Sequence, residues 1–212
     1  MIHIFSSKGQ VHLDGHKELS KNEPVVELVN NREREYIFAD LPDIGYSTDI
    51  DTVMASSYQV KKQLQQIVKI EQPITNTLLY KRILRIWNLT RVTTRLQVFI
   101  DSLLEDAYKD PLSGDTIIYW ENKEKAKECD FYRINSKRDI LDIPILEVMS
   151  AARYAIEQQI SMPIEDLKRL TSQLLGFSRK GNNLDMVTEQ TIQLLINKGI
   201  FSHANGMVSM NN

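Results

Sequence analysis

The sequence predicts a mainly α protein with small β-wings: two tandem winged helix-turn-helix units preceded by a small acidic α/β leader. Three observations predict this. A short pattern occurs twice, 88 residues apart: Leu79…Ile86-Trp87-Asn88-Leu89-Thr90-Arg91…Leu96 and Leu167…Leu174-Leu175-Gly176-Phe177-Ser178-Arg179…Leu184. Upstream of each copy an apolar stripe keeps the same register, with Val60, Leu64 and Val68 against Val148, Ala152 and Ile156. Near the end, Asn205-Gly206 lies between two short strand-like stretches, which is the signature of a two-residue hairpin. Each copy reads as three helices, with a hydroxyl residue and an arginine in the turn between the second and third.

Composition agrees with two small units. The chain has 212 residues, 42% of them apolar and 25% charged, which is enough for a buried core. Its only cysteine, Cys129, excludes an intrachain disulfide and a multi-cysteine zinc site. The start of the chain turns polar at Ser6 and Lys8, too early for a signal peptide, and no apolar run is of membrane-spanning length. A cytoplasmic protein without a membrane partner is expected. The net charge of −2 conceals an uneven distribution. Residues 1–60 carry 5 Lys/Arg against 10 Asp/Glu, whereas residues 72–100 contain five cations and no acid. Those cations are Lys81, Arg82, Arg85, Arg91 and Arg95, the footprint of a phosphate-binding face.

Along the chain, the acidic leader is assigned to residues 1–57. Residues 2–5 and 10–13 can form a hairpin, and 25–29 and 36–39 are further strand candidates. The leader is free to pack on the repeats or to dock on another protein. The first winged unit is assigned to residues 58–138. Its first helix covers roughly 51–69 and ends at Gln72-Pro73; Asn76 can cap the second and Thr90 the third. Residues 116–120 and 131–134 read as the strands of a long wing around the charged stretch 121–130. The second unit, 139–212, has a first helix over about 146–158 and a second that opens with Pro163, Glu165 and Asp166. Gly176 ends that second helix. A third helix over about 183–197 and a short Asn205-Gly206 wing complete the unit.

These residues carry a resemblance. Ile70-Glu71-Gln72-Pro73-Ile74, Leu89-Thr90-Arg91, Ile143-Pro144, Leu175-Gly176-Phe177-Ser178-Arg179, Lys198-Gly199-Ile200 and Asn205-Gly206 resemble an uncharacterised domain family. That family lies at the C-terminal end of large bacterial superfamily-one helicases, which often carry an endonuclease module like very-short-patch-repair enzymes. The resemblance covers most of residues 58–210 and none of the leader. It implies a DNA repair or antiviral defence setting and a helicase or nuclease partner. Residues 1–57 are not expected to form a helicase or nuclease module, so any ATP-driven activity is expected to come from that partner.

The first third helix is the main functional candidate. With Leu96, Phe99 and Leu103 turned inward, Thr93, Thr94 and Gln97 are expected to face outward, with Arg91 and Arg95 at the edges. Hydroxyls, arginines and free helix N–H groups suit phosphate. In the second copy Arg179 and Lys180 occupy the turn, but Asp185, Glu189, Gln190 and Gln193 are expected on the outer face, where carboxylates repel phosphate. The expected nucleic-acid-binding set is therefore Lys81, Arg82, Arg85, Thr90, Arg91, Thr93, Thr94, Arg95, Gln97, Arg179 and Lys180, with DNA as partner. Glu121-Asn122-Lys123, with Asp115 or Asp43, resembles part of a metal-dependent nuclease site, but a charged wing loop accounts for it more simply. His3, His12, His16 and His203 form no metal-ligand spacing, and no nucleophile or phosphate-loop motif occurs. The expected function is that of a non-enzymatic accessory protein, without cofactor or metal, that binds nucleic acid. The alternative is a tandem winged-helix subunit that binds protein.

Overall fold

The 88-residue offset of the sequence reappears as an offset between elements. In the computed structural model, residues 31–46, 48–110, 116–134 and 137–211 are described. Helix α2 (Ser57–Glu71) corresponds to α6 (Ile145–Glu157), strand β2 (Ile74–Thr75) to β6 (Met162–Pro163), and α3 (Asn76–Ile86) to α7 (Ile164–Leu174). Helix α4 (Thr94–Leu103) corresponds to α8 (Asn182–Asn197). Each of these four pairs begins at the same 88-residue spacing. Two strands follow in each copy: β3 (Tyr108–Asp110) and β4 (Ile118–Trp120), then β7 (Phe201–Ala204) and β8 (Met207–Met210). The sheets have equivalent orders, β2-β4-β3 and β6-β8-β7, and all pairs in them are antiparallel. The chain is mainly helical with small sheets.

The helices form where apolar residues recur every three or four positions. Val60, Leu64, Ile67 and Val68 of α2 meet Leu79 and Ile83 of α3 and Leu96 and Ile100 of α4 in one buried cluster. The equivalent cluster of the second copy is built from smaller or more polar residues. Ala152 and Ala155 stand where the first copy has Leu64 and Ile67, and Thr171 and Thr188 stand for Ile83 and Ile100. The side chains of Thr188 and Thr191 are accommodated by hydrogen bonds to carbonyls about one turn earlier in α8. Asn205 and Gly206, with φ of 53° and 77°, make the expected two-residue turn between β7 and β8.

The first wing differs from expectation. Residues 131–134 do not pair with 116–120. The hairpin partner of β4 is β3, in the register Tyr108↔Trp120. Strand β5 (Tyr132–Ile134) instead runs parallel to β1 (Glu33–Glu35) of the leader, and residues 123–127 form the short helix α5 (Lys123–Lys127). The caps also shift: Thr75 rather than Asn76 caps α3, and Thr93 rather than Thr90 caps α4, each accepting the N–H three residues on. The strand expected at 36–39 lies instead at Glu33–Glu35, and the first helix is split into α1 (Ile50–Ala55) and α2. The leader candidates at 2–5, 10–13 and 25–29 lie outside the described residues, as do Pro111 to Asp115.

A buried ionic network joins leader and repeats. Glu71, fully buried at the end of α2, accepts hydrogen bonds from Tyr36 Oη at 2.5 Å, Ala39 N at 3.0 Å and Arg82 Nε at 2.9 Å. Arg133 of β5 donates to the carbonyls of Glu71, Gln72 and Pro73 and to the Glu147 carboxylate of α6. Arg138 reaches Glu147 at 2.8 Å, and both guanidiniums lie within 5 Å of the Tyr36 ring centre. A buried carboxylate is tolerable only when paired and hydrogen-bonded, and Glu71 and Glu147 meet both conditions. Among the described residues, no helix is long and apolar enough to cross a membrane.

Candidate nucleic-acid interface

The second helix, turn and third helix of each copy are built alike. At the end of α3, Trp87 N donates to Ile83 O, Asn88 N to Arg85 O and Leu89 N to Leu84 O, at 2.9, 3.2 and 2.9 Å. At the end of α7, Leu175 N, Gly176 N and Phe177 N repeat this to Thr171 O, Gln173 O and Ser172 O, at 3.1, 2.9 and 3.0 Å. Both turns need a residue in the left-handed region, and it is Asn88 (φ 48°) in one and Gly176 (φ 88°) in the other. The hydroxyl and the arginine follow at once: Thr90 and Arg91, then Ser178 and Arg179. All four are exposed.

Not every expected contact residue reaches that surface. Arg82 is only 12% exposed, held by Glu71 and by the Ala39 carbonyl at 2.6 Å, so its charge is spent inside the network. Lys81 is half exposed, but both carboxylate oxygens of Asp142 lie 2.7 Å from its ammonium. Arg95 pairs with Asp51 of α1 at 2.8 Å, both groups exposed. The Thr93 hydroxyl caps α4, accepting from Leu96 N at 3.2 Å. Thr94 is exposed and Gln97 half-buried. Arg85, Arg91, Arg179 and Lys180 are exposed and have no ion-pair partner among the described residues. The basic face of the first copy is thus narrower than its sequence, with Arg85 and Arg91 as its unpaired cations.

On the outer face of α4, Thr94, Arg95, Val98 and Ser102 join Met54 and Phe99 around a shallow depression of about 380 Å³. Val98 is 64% exposed, so this helix presents apolar as well as polar surface. In the second copy a groove of about 580 Å³ lies between α7, the turn and α8. Its lining includes Arg169, Ser178, Arg179, Asn182 and Asp185. These are the positions of Lys81, Thr90, Arg91, Thr94 and Gln97, moved by 88 residues.

The floor of that groove holds a residue that sequence reasoning missed. Lys168 is 9% exposed, and its ammonium lies 2.8 Å from Asp185, 3.0 Å from Glu189 and 3.3 Å from Glu165. Burial alone would lower its pKa; the three carboxylates outweigh that and raise it above the ordinary lysine range. Its counterpart is Tyr80, whose hydroxyl donates to Asp101, the counterpart of Glu189, at 2.8 Å. Tyr119 donates to the same carboxylate at 2.8 Å. The signal in the sequence was this pairing of one acid on the third helix with one donor on the second in both copies.

The remaining candidates have local roles. Glu121 N donates to Gln72 Oε1 at 2.9 Å, and the Asn122 side chain caps α5. Asp115 lies outside the described residues, as do His3, His12 and His16. Among the described residues, no three His, Cys, Asp or Glu side chains gather as a metal site. Burial, reinforced by nearby Glu147, pushes the Cys129 thiol up to about 12, so it is protonated at neutral pH. Trp87 is in the core with its N–H on Gln63 at 2.8 Å, and Trp120 is also buried.

Comparison with known proteins adds one family. DUF3320, described as a protein of unknown function, matches residues 55–98, the stretch that holds α2, α3, the turn and the first half of α4. No curated protein and no solved structure matches the chain.

Proposed function

We propose that the protein is a non-enzymatic, nucleic-acid-binding accessory protein made of two tandem winged-helix units. The repeated helix–strand–helix–helix–strand–strand order, with the last strand central in each sheet, supports the winged-helix reading. The observation that carries the binding reading is the turn arginine. Arg91 and Arg179 occupy the same repeat position, just before the third helix, and both are exposed without a carboxylate partner among the described residues. Guanidinium groups beside the free N–H groups of a helix start suit backbone phosphate. Arg85 extends the first site, and Thr90 and Thr94 supply hydroxyls. The resemblance to helicase-associated domains supports a role in recruiting or orienting a helicase or nuclease in bacterial DNA repair or defence.

A second reading is a protein-binding subunit with no direct DNA contact. It is favoured by the depression around Val98 and by Asp51, which occupies Arg95. Binding to duplex and single-stranded DNA over a salt series, with an Arg85→Ala/Arg91→Ala variant, separates the two. Phosphate contact predicts affinity that falls steeply with salt, and a slope shallower by about two in the variant. If the wild type does not bind at low salt, the DNA reading is wrong and the protein-binding reading stands.

A further inference from the structure

The carboxylates on α8 set the second copy apart from the first, yet the structure does not leave them facing solvent unopposed. Glu165 from α7 and Asp185 and Glu189 from α8 converge on the ammonium of Lys168, which sits beneath the groove. A lysine is rarely this buried unless paired, and it stands at the repeat position that Tyr80 holds in the first copy. The first copy needs one hydroxyl at that place because α4 offers it the single acid Asp101. The second offers two acids from α8 and one from α7, and a cation answers them. At the mouth of the same groove Arg179 and Lys180 have no ion-pair partner among the described residues, and α8 has Gly181 at its N-cap, with no side-chain cap on its first N–H groups.

We propose that Lys168 is a positioning residue for a second phosphate-binding surface. By gathering Asp185, Glu189 and Glu165 onto one charge at the groove floor, it allows the Arg179-Lys180 turn to approach a nucleic-acid backbone. This rests on the nucleic-acid reading of the two turn arginines and deepens it at the second: Arg179, with Lys180, can grip the backbone there because Lys168 holds the neighbouring carboxylates. Two linked contacts then bind one strand or duplex more tightly than either alone.

The test is fluorescence anisotropy with a labelled duplex of mixed sequence over a salt series. The proteins are wild type, Lys168→Met, Lys168→Met with Asp185→Asn and Glu189→Gln, and Arg179→Ala/Lys180→Ala. The inference predicts that Lys168→Met weakens low-salt binding by about five-fold or more, since the freed carboxylates repel phosphate. It predicts that the triple variant, which lacks the two α8 carboxylates of those three, regains affinity to within about two-fold of wild type. It also predicts that Arg179→Ala/Lys180→Ala lowers the salt slope by about two. A purely structural lysine would give a loss that the triple variant does not restore, in parallel with a lowered melting temperature, and that result overturns the inference. Wild-type binding that none of these variants changes also overturns it, while leaving the first site intact. Absence of wild-type binding removes the nucleic-acid reading itself and this inference with it.

Discussion

Glu147 gives the sharpest stability prediction. Its carboxylate is fully buried, accepts from Arg133 N and Nε at 3.1 Å, and meets Arg138 Nη1 at 2.8 Å. Glu147→Gln keeps the shape but removes the charge, leaving two buried guanidiniums short of their counter-ion. Arg133 keeps three carbonyl acceptors on residues 71–73 and Arg138 keeps the Arg133 carbonyl, so what both lose is the charge partner. Removing one partner of such a network costs about 3–5 kcal/mol. For a chain of this size that corresponds to a melting point lower by roughly 6–20 °C. Thermal unfolding followed by circular dichroism measures it. Burial alone would raise the Glu147 pKa; Arg133 and Arg138 outweigh this and hold it below the ordinary glutamate value. The folded pKa is thus depressed, so the contribution is complete above the unfolded value near 4.5 and is lost as pH falls through the lower folded one. Wild type should therefore lose stability relative to Glu147→Gln only in acid. A Glu147→Gln protein that melts within about 2 °C of wild type at neutral pH would refute the claim that this network holds the two copies together.

Two further predictions concern the turns and the cations. Asn88→Gly should leave stability equal or up to about 1 kcal/mol higher, whereas Gly176→Ala should lower it by about 1 kcal/mol or more, because both positions require positive φ; urea denaturation of each variant reads the difference. Arg82→Gln should destabilise the fold by about 2–4 kcal/mol through the unpaired Glu71, yet leave the salt dependence of DNA binding unchanged. A reduced salt slope in folded Arg82→Gln would return Arg82 to the contact set.

The repeat was legible because its helices carry local signals. Apolar spacing, a left-handed turn residue and a following arginine all lie within a few residues of each other, and the structure keeps them at a constant offset. The Asn205-Gly206 hairpin was legible for the same reason. The first wing was not, because the choice of partner for residues 132–134 is decided by strand β1, about 100 residues earlier. Alternation marks a strand but does not name its neighbour. The face was misjudged in a similar way. A run of cations without acids looks uniform in sequence, but Glu71, Asp142 and Asp51, from outside that run, take up Arg82, Lys81 and Arg95. In the second copy the same blindness worked in the other direction: Asp185 and Glu189 read as free carboxylates until Lys168 was placed between them.

The central claim is that the turn arginine of each copy meets a phosphate. Its most direct measure is the salt dependence of duplex affinity for wild type, Arg91→Ala, Arg179→Ala and the double variant. Each arginine that neutralises one phosphate contributes about 0.9 to the slope of log affinity against log salt. The account predicts equal single losses of about one and a double loss of about two, with the fold intact by circular dichroism. Slopes in all three variants equal to that of the wild type would contradict it.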